Sequence, residues 1–301
     1  MKSLPKPLKG IVVPLVTPLR DFDTLDAKGL EKLLEHVIKG GVHAVFILGT
    51  TGEGPSLSYR LRDEVIDTAC KIVAGRVPVL VGITDTAFVE TLKVADKAAQ
   101  AGAQAVVLAH PPYFPAGQAE ILSFLEHLAP KLPLPLFLYN MPSHTKLVFD
   151  PKTVKAAADI QNIVGLKDSS ANMFYFHELQ RELKHKPDFT LLVGPEELLA
   201  ETVLLGGHGG VNGGANMKPK LYVDLYNASV ARDFAKIQKL HDEVMDISGK
   251  IYKVSSYLRG LKCALSCIGL CSDALAEPFT PMDADGRKQI QKYVKELGMK
   301  A

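Results

Sequence analysis

Tryptophan is absent from this chain, and cysteine is scarce, with four among 301 residues. So few cysteines exclude a disulfide-built scaffold. No apolar run approaches the ~20 residues that a membrane span requires. The opening stretch "MKSLPKPLKG" carries charges and prolines but no apolar h-region, so no secretory signal is expected and the expected location is cytoplasmic. No excess of one charge exists either: 35 basic residues face 33 acidic ones, which argues against nucleic acid or a membrane surface as partner. Nine scattered histidines form no H-E-x-x-H pattern, so no metal is expected. No G-x-x-x-x-G-K-[ST] loop and no G-x-G-x-x-G after the first apolar run are found.

The cysteines that do occur include Cys263, Cys267 and Cys271, spaced by four in a stretch that reads as helix. That spacing lines them along one helix face. Burial as a small apolar stripe explains it better than a metal site, whose paired C-x-x-C spacing is missing.

What the chain has is apolar bulk, 47% of residues, arranged in short runs. Eight runs read as strands: 11–18, 44–50, 77–83, 105–113, 135–142, 162–168, 189–195 and 209–216. Between them lie helix-like stretches at 25–40, 58–75, 86–101, 117–130, 151–159, 171–184 and 196–205. Near-continuous apolar strands alternating with helices indicate a parallel sheet covered on both faces. Eight units within residues 1–230 fit an α/β fold of the TIM (β/α)8 barrel type, typically ~250 residues. A doubly wound open sheet is the alternative. Residues 231–301 lose the strand pattern and read as a C-terminal helical extension on the barrel, with helices at 231–249, 253–271 and 284–298.

Barrel enzymes place their chemistry at the carboxyl ends of the strands. Those ends are polar here: "GTTGEG", "HPPYF", "YNMPSHT", "LKDSS", "GPEE" and "NGGAN". Lys167 ends an apolar strand. Burial disfavours the charged form of an amine and makes it a nucleophile toward a keto group. A lysine paired with Asp168, or capping the next helix, explains the strand equally well. Thr50 and Thr51 between glycines offer hydroxyls and approachable backbone N–H groups for a small carboxylate, or else an ordinary helix N-cap. Tyr139 and Tyr113 are phenols near strand ends, able to move protons or simply to pack. The glycine-rich "GGHGGVNGGAN" (206–216) is a weak phosphate signal, or makes space for a substrate.

Taken together, "GTTGE" after the second strand, the tyrosine of "YN-x-P" after the fifth and the lysine of "G-x-K-D" on the sixth resemble the dihydrodipicolinate synthase and N-acetylneuraminate lyase superfamily. The resemblance implies a class I aldolase or lyase that takes pyruvate, or releases it from a 2-keto acid, with an aldehyde as second partner. It implies a Schiff base on Lys167 with no other cofactor, and Tyr139 as proton donor and acceptor. Thr50 and Tyr113 match the remaining relay positions, Tyr113 entering a neighbouring subunit's site. Thr51 would hold the pyruvate carboxylate, with the backbone of Val211 opposite. A homo-oligomer built as a dimer of dimers is implied.

Several positions depart from the synthase pattern. "YNMPSHT" places His144 where synthases of this family carry an arginine for the second carboxylate, and His lacks its bidentate fork. "PPYF" replaces "PYY", and "GEGPSLS" is similar to 2-keto-3-deoxy-gluconate aldolases. Glu196 and Glu197 match positions that bind sugar hydroxyls in neuraminate lyases, and Ser169 matches a hydroxyl position beside the lysine. Helix-start glutamates favoured by the dipole are an equal account of the two acids. The expectation is a lyase acting on a 2-keto-3-deoxy sugar acid, with dihydrodipicolinate synthase as the alternative and a dehydratase using the same imine as a variant. A keto-acid sensor without turnover is the contrasting class.

Overall fold

In the computed structural model, which describes residues 4–300, eight parallel strands close into a barrel in the order β1 to β8. The first half runs β1 (Gly10–Pro14), α1 (Ala27–Lys39), β2 (Ala44–Ile47), α2 (Tyr59–Val73), β3 (Val79–Gly82), α3 (Phe88–Ala101), β4 (Ala105–Ala109) and α4 (Gln118–Leu128). The second half runs β5 (Leu136–Asn140), a one-turn α5 (Pro142–Thr145), α6 (Pro151–Ala158), β6 (Ile163–Asp168), α7 (Met173–Glu182), β7 (Thr190–Val193), α8 (Leu199–Leu204), β8 (Gly209–Val211) and α9 (Pro219–Ala231). β1 pairs with β8 through Gly10–Gly209 and Val12–Val211, which excludes the open doubly wound alternative.

Side chains alternate across each strand. One set fills the barrel: Val12, Phe46, Leu80, Val107, Phe137 and Leu192 form the interior core. The other set packs outward under the helices in a larger core that includes Val13, Val45, Leu138 and Leu166. Leu8 joins the interior set and donates its N–H to Thr190 Oγ1 at 2.9 Å, closing the amino end of the barrel. The carboxyl end stays open as a cavity.

Helix starts follow their polar caps. Asp26, Ser58, Asn172, Asp233 and Asp283 each accept a backbone N–H from the first turn of their helix. α9 has no counterpart among the expected helices. It buries Leu221, Tyr222, Leu225 and Ala228 and packs against β1, α8 and α10 (Phe234–Ile247). Its polar stripe is only Lys220, Asp224 and Asn227, set among Val223, Tyr226 and Val230, so the periodic signal of an outer helix is weak. The expected helix at 231–249 therefore begins only at Phe234, after Arg232 turns left-handed at φ 58°. A π-helical turn (Ser248–Tyr252) follows, then α11 (Tyr257–Cys267) and α12 (Ala284–Glu296).

α11 stops short of Cys271, so the three cysteines do not share one helix face. Cys263 is buried and Cys267 and Cys271 are half-buried; burial pushes the Cys263 and Cys271 thiols up to about 12. No helix among the described residues is long and apolar enough to cross a membrane.

Candidate active site

The register of the barrel brings the site together. On β5 and β6, Tyr139 pairs with Lys167 and Asn140 with Asp168. Tyr139 and Lys167 therefore point inward, while Asn140 and Asp168 point outward. Asp168 accepts from Asn140 Nδ2 at 2.8 Å, from Ser170 N at 3.0 Å and from Ser170 Oγ at 2.9 Å. Its carboxyl is pushed up by burial. Lys167 is thus not paired with Asp168, and no salt bridge to it exists among the described residues. Its ammonium nitrogen lies 4.1 Å from the Tyr139 ring centroid and 5.5 Å from that of Phe46. Gly165, two residues earlier on the same inward face, leaves room for the Phe137 ring below.

Burial works to raise the Tyr139 phenol, but the Lys167 charge and the Thr50 hydrogen bond outweigh it, so the phenol is held below its ordinary value. Thr50 Oγ1 and Tyr139 Oη are 3.3 Å apart. Thr51 is buried, its hydroxyl 3.1 Å from Tyr257 Oη. Thr50, Thr51, Tyr139, Lys167, Ser169 and Val211 all line one cavity of about 690 Å³ at the carboxyl end of the barrel. Its size suits a small ligand.

Tyr113 is not brought to this cavity. It is 86% exposed at φ 88°, its ring edge-on to Phe114 with centroids 5.0 Å apart. His144, on α5, stands at the cavity rim with Nδ1 2.9 Å from Ser143 Oγ. Partial burial, then the charges of Lys146 and Lys167, push its imidazole below the usual value, so it is neutral near pH 7.

The two glutamates differ. Glu196 is buried, and Oε1 accepts from Tyr222 Oη at 2.7 Å and Tyr252 Oη at 2.8 Å, while Oε2 accepts from Gly214 N at 2.8 Å. Burial dominates those donors and pushes the carboxyl up to about 7. Glu197 also lines the cavity, with no salt bridge or side-chain hydrogen bond among the described residues. The glycines of "NGGAN" have a definite use. A Cβ on Gly213 would lie 1.8 Å from Tyr257 Oη, and one on Gly214 1.9 Å from Tyr222 Oη. They make room for tyrosine hydroxyls, and Gly213 also lines the cavity.

A family model described as the dihydrodipicolinate synthetase family matches residues 7–297. The chain belongs to that family. Among relatives, 4-hydroxy-tetrahydrodipicolinate synthase of Methanocaldococcus jannaschii is 30% identical over 97% of this chain and 99% of its own. YagE of Escherichia coli K12, named as a candidate 2-dehydro-3-deoxy-D-gluconate aldolase, is 31% identical over 96% of each chain. Among solved structures, a dihydrodipicolinate synthase from Bacteroides thetaiotaomicron superposes with a TM-score of 0.95 at 55% identity, covering 98% of this chain and all of that one. YagE with pyruvate superposes at 0.92 with 30% identity, covering 97% of this chain and 99% of that one. The chain is therefore a lyase or synthase of this family, and its expected fold and family hold.

Residues that family motifs and strand ends do not point to complete the cavity wall. Tyr252, Tyr257 and Phe279 come from beyond the barrel, and Arg62 from α2. Arg62 is already held: it pairs with Asp85 at 3.2 Å and donates to the Leu57 carbonyl at 3.1 Å. The tyrosines of the extension sit in "KIYKVSSY", where no strand end flags them.

Proposed function

We propose that the protein forms a Schiff base between Lys167 and the C2 keto carbon of pyruvate, or of a 2-keto acid that yields it, and uses the imine to make or break a carbon–carbon bond. The observation that carries this is the inward Lys167 amine, 4.1 Å from the ring of a phenol whose acidity it raises, with no carboxylate paired to it. The amine adds to the ketone, and loss of water leaves the imine. In the cleavage direction the C4 hydroxyl loses its proton, the C3–C4 bond breaks and the aldehyde departs. The electron pair remains as the enamine, which takes a proton at C3 and hydrolyses to pyruvate and free Lys167. Tyr139, linked to Thr50, is the group placed to carry those protons. Thr51 and the backbone at Val211 hold the carboxylate. No cofactor beyond Lys167 is invoked.

For the second substrate we favour a 2-keto-3-deoxy sugar acid. The rim supplies a neutral His144 and an uncommitted Glu197, which suit hydroxyl groups, while the Arg62 guanidinium is already engaged. Dihydrodipicolinate synthase activity is the second reading, favoured by 55% identity to the protein from B. thetaiotaomicron that bears that name. A dimer of dimers fits the exposed Tyr113, which would then serve a neighbouring subunit's cavity. The test is a panel of 2-keto-3-deoxy sugar acids assayed for pyruvate release, beside pyruvate plus aspartate semialdehyde assayed for condensation. Turnover of the first set alone supports the favoured reading. Condensation at a comparable kcat/KM replaces it with the second.

A further inference from the structure

The helical extension supplies more than a wall. We propose that α11 is the positioning element of the Thr50–Thr51 turn, with Tyr257 acting through Thr51 and Lys262 acting through Glu53. The proposal rests on the reading of Thr51 as a carboxylate ligand.

The turn has a demanding shape. Leu48 and Glu53 flank it with φ of 58° and 57°, left-handed conformations that L-residues with side chains seldom adopt. Gly54 must lack a Cβ because one would lie 2.1 Å from the Leu48 carbonyl oxygen. Within the turn, Glu53 N donates to Thr50 O at 3.1 Å and Gly54 N to Gly49 O at 3.2 Å. Such a conformation persists when the surroundings over-determine it; here the surroundings are Thr17, whose hydroxyl donates to Gly52 O at 2.6 Å, and the extension.

Lys262, on α11, is fully buried and forms an ion pair with Glu53, whose side chain is 1% exposed. Burial pushes the lysine down while Glu53 pulls it up. Lys262 Nζ also donates to Ala274 O at 2.6 Å, and the other Glu53 oxygen accepts from Ala276 N at 2.8 Å. A buried ion pair is weak evidence for stability, because desolvation opposes attraction. Its better-attested use is to fix one arrangement, and the arrangement fixed here is that of the residue that closes the threonine turn.

Tyr257, in the first turn of α11, meets Thr51 Oγ1 at 3.1 Å and fixes a hydroxyl that would otherwise rotate. Its own place is kept by the missing side chain of Gly213 and by the Tyr252 ring, 4.8 Å away edge-on. One helix thus holds both sides of the turn, so the affinity for the keto acid's carboxylate depends on a segment outside the barrel.

The experiment uses the full chain in three forms: wild type, Tyr257→Phe, and Glu53→Gln combined with Lys262→Met. Two readouts are taken, the pyruvate concentration that half-saturates borohydride trapping and amide hydrogen exchange across residues 49–57. In Tyr257→Phe, half-saturation should rise roughly three- to tenfold, as for one lost ordering hydrogen bond. The trapping rate at saturating pyruvate should stay within about twofold, a KM-against-kcat split that general destabilisation would not produce. Exchange in 49–57 should quicken in both variants while barrel peptides hold their protection. Unchanged half-saturation and unchanged exchange in a folded Tyr257→Phe protein overturn the proposal, even if the double variant fails to fold. If pyruvate does not trap on the wild type, the proposed function fails, and exchange alone decides the positioning role.

Discussion

Replacing Glu196 with glutamine should remove a pH dependence of stability that this one carboxyl imposes. In the folded protein its pKa is pushed from an ordinary 4.5 to about 7, chiefly by burial. Below pH 4.5 the folded and unfolded chains both hold the proton, and the group contributes nothing. Above it the unfolded chain releases the proton while the folded one keeps it. The folded state then loses ~1.4 kcal/mol for each pH unit, until the folded carboxyl itself ionises near pH 7. The stability held at low pH is therefore lost as pH rises between these values, by a total on the order of 3 kcal/mol. Glutamine keeps the shape and an oxygen for the tyrosine hydroxyls, but does not titrate. Urea unfolding of both proteins at pH 5 and pH 7.5 measures the effect as a difference of differences. Contributions from Asp168 and the histidines are common to both and cancel. The Gln variant should gain ~2–3 kcal/mol on the wild type between the two pH values. Parallel behaviour across that range would refute the argument that burial dominates the three donors around Glu196.

Other expectations follow from the same geometry. Tyr139→Phe should slow turnover by ~10²-fold or more while leaving the fold intact, the cost of removing a positioned proton carrier; steady-state kinetics with circular dichroism as control would check it. His144→Arg should improve kcat/KM for aspartate semialdehyde, because a forked cation replaces a neutral ring at the rim; no change would count against that account of α5. Gly213→Ala should destabilise the protein by ~1–3 kcal/mol, since its Cβ would meet Tyr257 Oη at 1.8 Å. A thermal midpoint equal to wild type would contradict the close approach.

The barrel was legible because its signal is repeated. Eight apolar runs with the right spacing fix eight strands even though each run overestimates its strand: 209–216 shrinks to Gly209–Val211, because Gly213–Asn216 curls into a 3-10 turn. α9 escaped because helical periodicity reports a broad polar face, and this helix, covered on several sides, has only the narrow stripe of Lys220, Asp224 and Asn227. Lys167 and Tyr139 were legible as a pair, since strand alternation and parallel register place them side by side. The ambiguity between a free Lys167 and one paired with Asp168 needed the structure, although alternation already sends neighbours to opposite faces.

Glu196 could not be resolved from sequence. Its partners Tyr222 and Tyr252 lie 26 and 56 residues away, on segments with no local mark of the site. The same holds for Lys262, whose partner Glu53 is 209 residues distant. Contacts of that range leave no periodic trace. Tyr113 is the reverse case: its motif position is clear, yet a single chain leaves it on the surface.

The central claim is that Lys167 is the covalent nucleophile. Borohydride reduction in the presence of pyruvate, followed by peptide mass mapping, tests it most directly. The account predicts one reduced pyruvyl adduct, on the peptide that contains Lys167, and none in a Lys167→Ala variant. A folded wild-type protein with no adduct at Lys167, or with the adduct on another lysine, would contradict it.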